Sequence, residues 1–140
     1  AEILAIGLES VNLQTAWADT ELIKMAGKPM PYPMISDMGG SISRLYGVFD
    51  EQKGSNLRAT FIIDPDGYIQ SAEAITGPIG RSSSEILRKL KAFQNYMSTG
   101  ELMPCDWEPG RETLIQSLDL AGQVWKYWRP NQAGIKNRDD

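Results

Sequence analysis

The chain has 140 residues, 41% of them hydrophobic and 23% charged, the composition of a folded domain whose core is large enough to do without disulfide or metal staples. A net charge of −4 with a pI near 4.9 argues against general affinity for nucleic acid, and no apolar run reaches the roughly 18 residues of a membrane span. There is no histidine and one cysteine, Cys105, which excludes His-assisted triads, most zinc and haem sites, an internal disulfide and a CxxC pair within these residues. A lone thiol fits a reducing compartment, so the expected location is cytoplasm; no cofactor is expected.

Glu2 to Leu8 is an apolar run without polar alternation, which predicts a strand buried on both faces inside a parallel sheet. A chain seldom opens on such a strand, and residue 1 is alanine; upstream sequence is expected. Ser10 reads as the N-cap of a helix whose face carries Leu13, Ala16 and Trp17, which could continue through Ala26 and stop at Gly27. Three prolines between Pro29 and Pro33 force an extended path. Met34-Ile35 reads as a short strand, and Gly40 to Tyr46 as a short helix with Ile42, Leu45 and Tyr46 on its apolar side. Arg58 to Ile63 reads as a second buried strand, Asp64-Pro-Asp-Gly67 as a turn, and Tyr68 to Ile75 as the returning edge strand of a hairpin. Ser82-Ser-Ser-Glu85 is a capping box, followed by a helix with Ile86, Leu90, Phe93 and Met97 on one face and Gly100 at its end. From Glu101 onward the chain is turn-rich, without a complete core face. The expected organisation is an α/β domain over 1–100, an arm over 101–130 and a disordered tail over 131–140.

Chemistry rests on few residues. Cys105 lies outside the regular elements and after Pro104, so it should be accessible. Asp106 and Glu108 would disfavour its thiolate. Such a thiol is a weak first nucleophile but can still form a disulfide with an activated sulfur; it can equally be an inert exposed thiol. Arg58 opens a strand and is either a rim ion pair or a fixed cation for an anion. The glycines of Gly77-Pro-Ile-Gly-Arg-Ser82 precede a helix but lack the ending of a phosphate-binding loop, so a plain connection is the better reading. Asp64 and Asp66 read as turn formers, and Trp107, Trp125, Tyr127 and Trp128 as packing or interface aromatics.

Arg58-Ala-Thr-Phe-Ile-Ile-Asp-Pro-Asp-Gly67, Gly80-Arg-Ser82, Lys91-Ala-Phe-Gln94 and Cys105-Asp-Trp-Glu-Pro-Gly110 occur in that order. With the opening Glu2 to Ser10, Ala16-Trp17, Ser36-Asp37 and Tyr46-Gly-Val48, the chain over about residues 1–120 resembles the C-terminal two-thirds of a typical two-cysteine peroxiredoxin, the peroxidase subunit of alkyl hydroperoxide reductase. The resemblance implies a thioredoxin-like (peroxiredoxin) α/β fold, incomplete at its N-terminus, with a C-terminal arm. It implies a parent protein that reduces hydrogen peroxide and alkyl hydroperoxides: a peroxidatic cysteine becomes a sulfenic acid, and a resolving cysteine in the partner subunit's arm converts it to a disulfide. Cys105 matches the resolving position, Arg58 the active-site arginine, Arg81 a supporting arginine, and Trp17 a tryptophan near the active site. The implied partners are a thioredoxin-like or flavoprotein disulfide reductant and a second copy of the chain, with rings as a further assembly.

The chain departs from the pattern in important places. The Pro-x-x-x-Thr/Ser-x-x-Cys segment of the peroxidatic cysteine is absent, a His-containing segment before Ala16-Trp17 is replaced by Leu13-Gln-Thr15, and the Gly-Gly-Leu-Gly insertion of hyperoxidation-sensitive members is missing between Ala26 and Ile35. The parent is therefore expected to be of the robust bacterial type, and the 140 residues alone to be inactive. The alternative is an inactive thioredoxin-like interaction or chaperone-type module.

Overall fold

The computed structural model describes residues 1–129; the expected tail over 131–140 lies outside them. The chain divides into two compact units, one of residues 1–63 and 71–80, the other of residues 64–70 and 81 onward.

In the first unit, β1 (Ala5–Gly7) pairs in parallel with β2 (Met34–Ser36), Ile6 opposite Ile35. Between them, α1 (Val11–Trp17) passes through a π-helical stretch (Ala18–Leu22) into α2 (Ile23–Ala26). Ser10 caps this helical segment as its sequence predicts, its hydroxyl accepting from the Leu13 amide at 3.3 Å. Gly27 ends it in the left-handed region at φ 70°, where glycine has no Cβ to clash. The buried Gln14 donates from its side-chain amide to the Ile35 carbonyl at 3.0 Å, fixing α1 against β2.

The expectation that residues 2–8 form a strand buried on both faces is corrected. Only Ala5–Gly7 are strand, and Ile3, Leu4 and Ile6 are 61%, 61% and 42% exposed. A strand is buried on two faces only when layers cover both, and β1 shares its sheet with β2 alone among the described residues.

After β2 come α3 (Ser41–Leu45), β3 (Phe49–Asp50) and β4 (Ser55–Asn56), the last two antiparallel. Gly40, at φ 73°, has room for no side chain, because a Cβ there would stand 2.6 Å from the Phe49 ring. Arg44 lies over that ring at 4.0 Å and holds Glu51 through two bonds of 2.5 and 3.0 Å. The expected apolar side of α3 is only partly used: Tyr46 meets the Phe61 ring edge-on at 4.8 Å, whereas Leu45 is 86% exposed.

β5 (Arg58–Ile63) and β6 (Ile69–Ile75) form the expected hairpin sheet. Ala59 to Ile62 are half-buried and Ile63 is exposed, so β5 too falls short of the two-sided burial its composition predicts. In the second unit the turn closes by a Gly67 amide to Asp64 carbonyl bond of 3.1 Å. The Asp64 carboxylate accepts from the Asp66 and Tyr68 amides and the Gln70 side chain, as a turn-forming aspartate does.

The second unit is built on α4 (Ser83–Thr99), capped by Ser82 and closed at Gly100, φ 72°. Ile86, Leu90 and Phe93 are half-buried, but Met97, expected on the same face, is exposed. The capping box is also only half formed. Ser82 Oγ accepts from the Glu85 amide at 3.3 Å, while the Glu85 carboxylate turns to Arg88 with bonds of 2.6 and 2.9 Å. A charge-assisted bidentate pair outcompetes a bond to a neutral amide.

Candidate functional site

Past Gly100 the chain folds into a closed loop. Leu102 and Leu114 exchange both backbone hydrogen bonds at 2.8 Å, an antiparallel bridge at the neck, and the Thr113 hydroxyl donates to the Glu101 carboxylate beside it. A loop whose ends meet and whose interior is filled by its own side chains is a compact structural unit. Its interior is Trp107, 5% exposed and the one large apolar side chain buried among the described residues. The Trp107 amide donates to the Pro104 carbonyl and its indole to the Arg111 carbonyl, both at 3.1 Å.

Cys105 sits on this loop as an exposed free thiol. Its thiol donates to the Asp106 carboxylate, whose charge also opposes ionisation, and slight desolvation acts the same way. The Arg88 guanidinium and the Asp106 amide pull in the other direction, and the sum holds Cys105 above the ordinary thiol value. The sequence reading of Asp106 is therefore correct in sign; Glu108 takes no part. Asp106 itself has φ 56°, a left-handed conformation that aspartate tolerates better than most residues. Cys105, Trp107, Leu114, Leu120, Tyr127 and Trp128 are among the residues lining an open concavity of about 1300 Å³ in this unit.

Two contacts tie the loop to α4. Asn95 Nδ2 donates to Met103 Sδ at 3.3 Å, and Arg88 Nη1 donates to the Trp107 carbonyl at 2.9 Å. Neither residue is marked by a sequence motif. The one available signal was Glu85 three positions before Arg88, an ion-pair spacing that competes with the capping reading.

The other candidates stand apart from this loop in character. Arg58 is exposed at the first position of β5, in the first unit. Arg81 is exposed, one residue before the Ser82 cap of α4. Trp17 is 47% exposed, its indole donating to Glu21 at 3.2 Å. Asp37, at the end of β2, is 3% exposed. Desolvation pushes its carboxyl up, but the Ile42 amide, the Ser43 hydroxyl and amide and the Ser41 hydroxyl outweigh this and bring it to about 2. Among the described residues no cluster could hold a metal ion, and no helix is long and apolar enough to cross a membrane.

A model described as the AhpC/TSA family matches residues 1–72, just over half of the 140 residues. The chain belongs to the AhpC/TSA family. The model of the C-terminal domain of 1-Cys peroxiredoxin matches residues 92–129, the end of α4 and the arm. Among similar AhpC/TSA-type relatives, the selenocysteine-containing peroxiredoxin PrxU of Peptoclostridium acidaminophilum is 42% identical over 134 residues, covering 94% of this chain and 66% of that protein. Alkyl hydroperoxide reductase C of Bacillus subtilis is 40% identical over 124 residues, covering 88% and 65%. The reduced 2-Cys peroxiredoxin of Plasmodium vivax superposes with a TM-score of 0.79 at 30% identity, covering 89% of this chain and 64% of that one. The fold is thus the thioredoxin-like α/β fold of peroxiredoxins, and the chain spans just under two thirds of the length of these two curated relatives.

Proposed function

We propose that this chain supplies the resolving thiol and an anion-stabilising arginine of a thiol peroxidase that reduces hydrogen peroxide and alkyl hydroperoxides. The observation that carries the reading is Cys105, an exposed free thiol on the loop closed by the Leu102–Leu114 bridge, where the neighbouring Asp106 pushes its pKa up. A thiol with a raised pKa attacks peroxide slowly, because the thiolate is the nucleophile. It suits the second step, in which the sulfur under attack is already oxidised. There the Cys105 sulfur, as thiolate, attacks the sulfur of a sulfenic acid; an S–S bond forms, the S–O bond breaks, and hydroxide leaves as water with the proton that Cys105 gave up. On this reading the group that meets the peroxide is one other than Cys105, the single cysteine of the sequence. The disulfide is then returned to thiols by a thioredoxin-like or flavoprotein reductant in the cytoplasm, and the sulfenic acid is presented by a second copy in a homodimer. Arg58, with Arg81 in support, supplies permanent positive charge to the thiolate that attacks the peroxide.

The test pairs the chain with Bacillus subtilis alkyl hydroperoxide reductase C in which every cysteine but the peroxide-reactive one has been replaced by serine. With one equivalent of hydrogen peroxide, mass spectrometry should find a mixed disulfide at Cys105, lost in Cys105→Ser. The match of residues 92–129 to a model named for 1-Cys peroxiredoxins favours a second reading, an arm without a resolving role. A sulfenic acid that persists beside an unmodified Cys105 establishes that reading instead.

A further inference from the structure

We propose that Arg88 is the positioning residue of Cys105: its guanidinium, fixed by Glu85, holds the Trp107 carbonyl and thereby the turn that carries the thiol. This rests on the reading of Cys105 as the resolving thiol. A surface ion pair at i, i+3 would leave the rest of the guanidinium to water. Here Nε and Nη2 are committed to the two Glu85 oxygens at 2.6 and 2.9 Å, and Nη1 reaches a backbone carbonyl nineteen positions along the chain. That carbonyl lies two residues past Cys105 and belongs to the tryptophan that fills the loop.

The arrangement sacrifices the second half of the α4 capping box, since Glu85 orients Arg88 rather than the helix start. Lysine could supply the charge but not the fork, because its ammonium has no planar pair of donors to share between a carboxylate and a carbonyl. Arg88 also offsets the charge that faces the thiol. Asp106 bears on Cys105 directly; Glu108, Arg111, Glu112, Asp119 and Tyr127 line the same concavity; Lys89 stands 3.8 Å from Glu85 as a second cation on α4. Arg88 thus bears on both the position and the ionisation of the thiol, the latter against the larger opposing effect of Asp106, and the two contributions separate by substitution.

The experiment follows two readouts in the intact chain: the pH profile of Cys105 alkylation by iodoacetamide, and the rate of mixed-disulfide formation with the oxidised partner described above. Arg88→Gln should move the alkylation midpoint to higher pH and slow disulfide formation about tenfold, the loss of one charge-assisted bond. Arg88→Lys should restore the midpoint but not the rate. Unchanged midpoint and rate in Arg88→Gln overturn the proposal, as does full recovery of the rate by lysine. If Trp107 emission shows that the loop opens in Arg88→Gln, Glu85→Gln decides: a smaller slowing in a loop that stays closed supports the clamp, and an unchanged rate rejects it. Where the unaltered chain forms no mixed disulfide, the resolving role fails; the hold of Arg88 on the turn then stands if Trp107 emission changes in both Arg88→Gln and Arg88→Lys, and is rejected if it changes in neither.

Discussion

Cys105 and Arg58 show how far a single side chain's chemistry follows from its neighbours. Cys105 is flanked by Asp106, whose carboxylate is the largest influence on the thiol and pushes its pKa up, so the direction of the shift needed no tertiary contact to foresee. Arg58 depends on a setting that β5 alone does not provide. It is exposed at the strand's start, where a purely structural ion pair is worth little, and a role in charge stabilisation predicts a different pattern of loss. Under the proposed function, Arg58→Ala in a protein that joins these residues to a peroxide-reactive thiol should slow reaction with peroxide at least tenfold, from a charge-assisted bond of about 1.5–3 kcal/mol, while the melting temperature changes little. Stopped-flow peroxide kinetics beside a thermal melt would measure both, and matched losses of rate and stability would assign Arg58 to structure.

Between elements, the junction of β2 and α3 rests on one carboxylate. Asp37 accepts from two amides and two hydroxyls at 2.7–3.1 Å, and its own amide donates to the Gly7 carbonyl at 2.7 Å. The end of β1, the end of β2 and the start of α3 are fixed together. Its folded-state pKa of about 2 lies below the ordinary 3.8, so the unfolded chain binds the proton more readily. The resulting stabilisation is complete above pH 4 and is lost as pH falls toward 2. Asp37→Asn should lower stability at neutral pH, since an amide nitrogen cannot accept the Ser43 bonds, and should flatten the decline between pH 4 and pH 2. Urea titrations at several pH values test this; a decline of unchanged slope would place the acid sensitivity in Asp50, Glu51, Asp64 or Glu85, whose carboxyls are also held low.

At the scale of the whole chain, apolar exposure sets the expected behaviour. Ile3, Leu4, Val11, Leu13, Ile69 and Met97 are all more than half exposed, and each Å² of such surface left in water forgoes about 25 cal/mol. Against a typical net stability of about 5–15 kcal/mol, that is enough to matter. β6 adds an edge strand, a surface that invites pairing with a second copy. In dilute solution the 140 residues should bind an apolar dye or self-associate, and Ala72→Pro, which removes a ladder donor, should yield monomers by light scattering while dye binding persists. A monomeric unaltered chain with a sharp melt and no dye binding would contradict this account, and a variant that stays dimeric would move the interface away from β6.

Local signals in the sequence determined a good part of this protein. Ser10 and Ser82 cap helices, Gly27 and Gly100 end them, and Asp64 to Gly67 turns the hairpin, because each acts on backbone groups at most a few residues away. The motifs in order were enough to suggest the family, and the exposure of Cys105 followed from the turn-rich chain around it. Burial was not legible. Whether Ile6 or Met97 is covered depends on a second layer, and an apolar run records only that a layer would be welcome. The anchoring of Asp37, the Leu102–Leu114 neck and the path of Arg88 to the Trp107 carbonyl were equally hidden, for each depends on which donors and acceptors tertiary folding brings together. At Glu85 the two levels compete directly: sequence spacing offers a capping box, and the fold spends the carboxylate on Arg88, because a fixed positive charge nearby is the stronger partner.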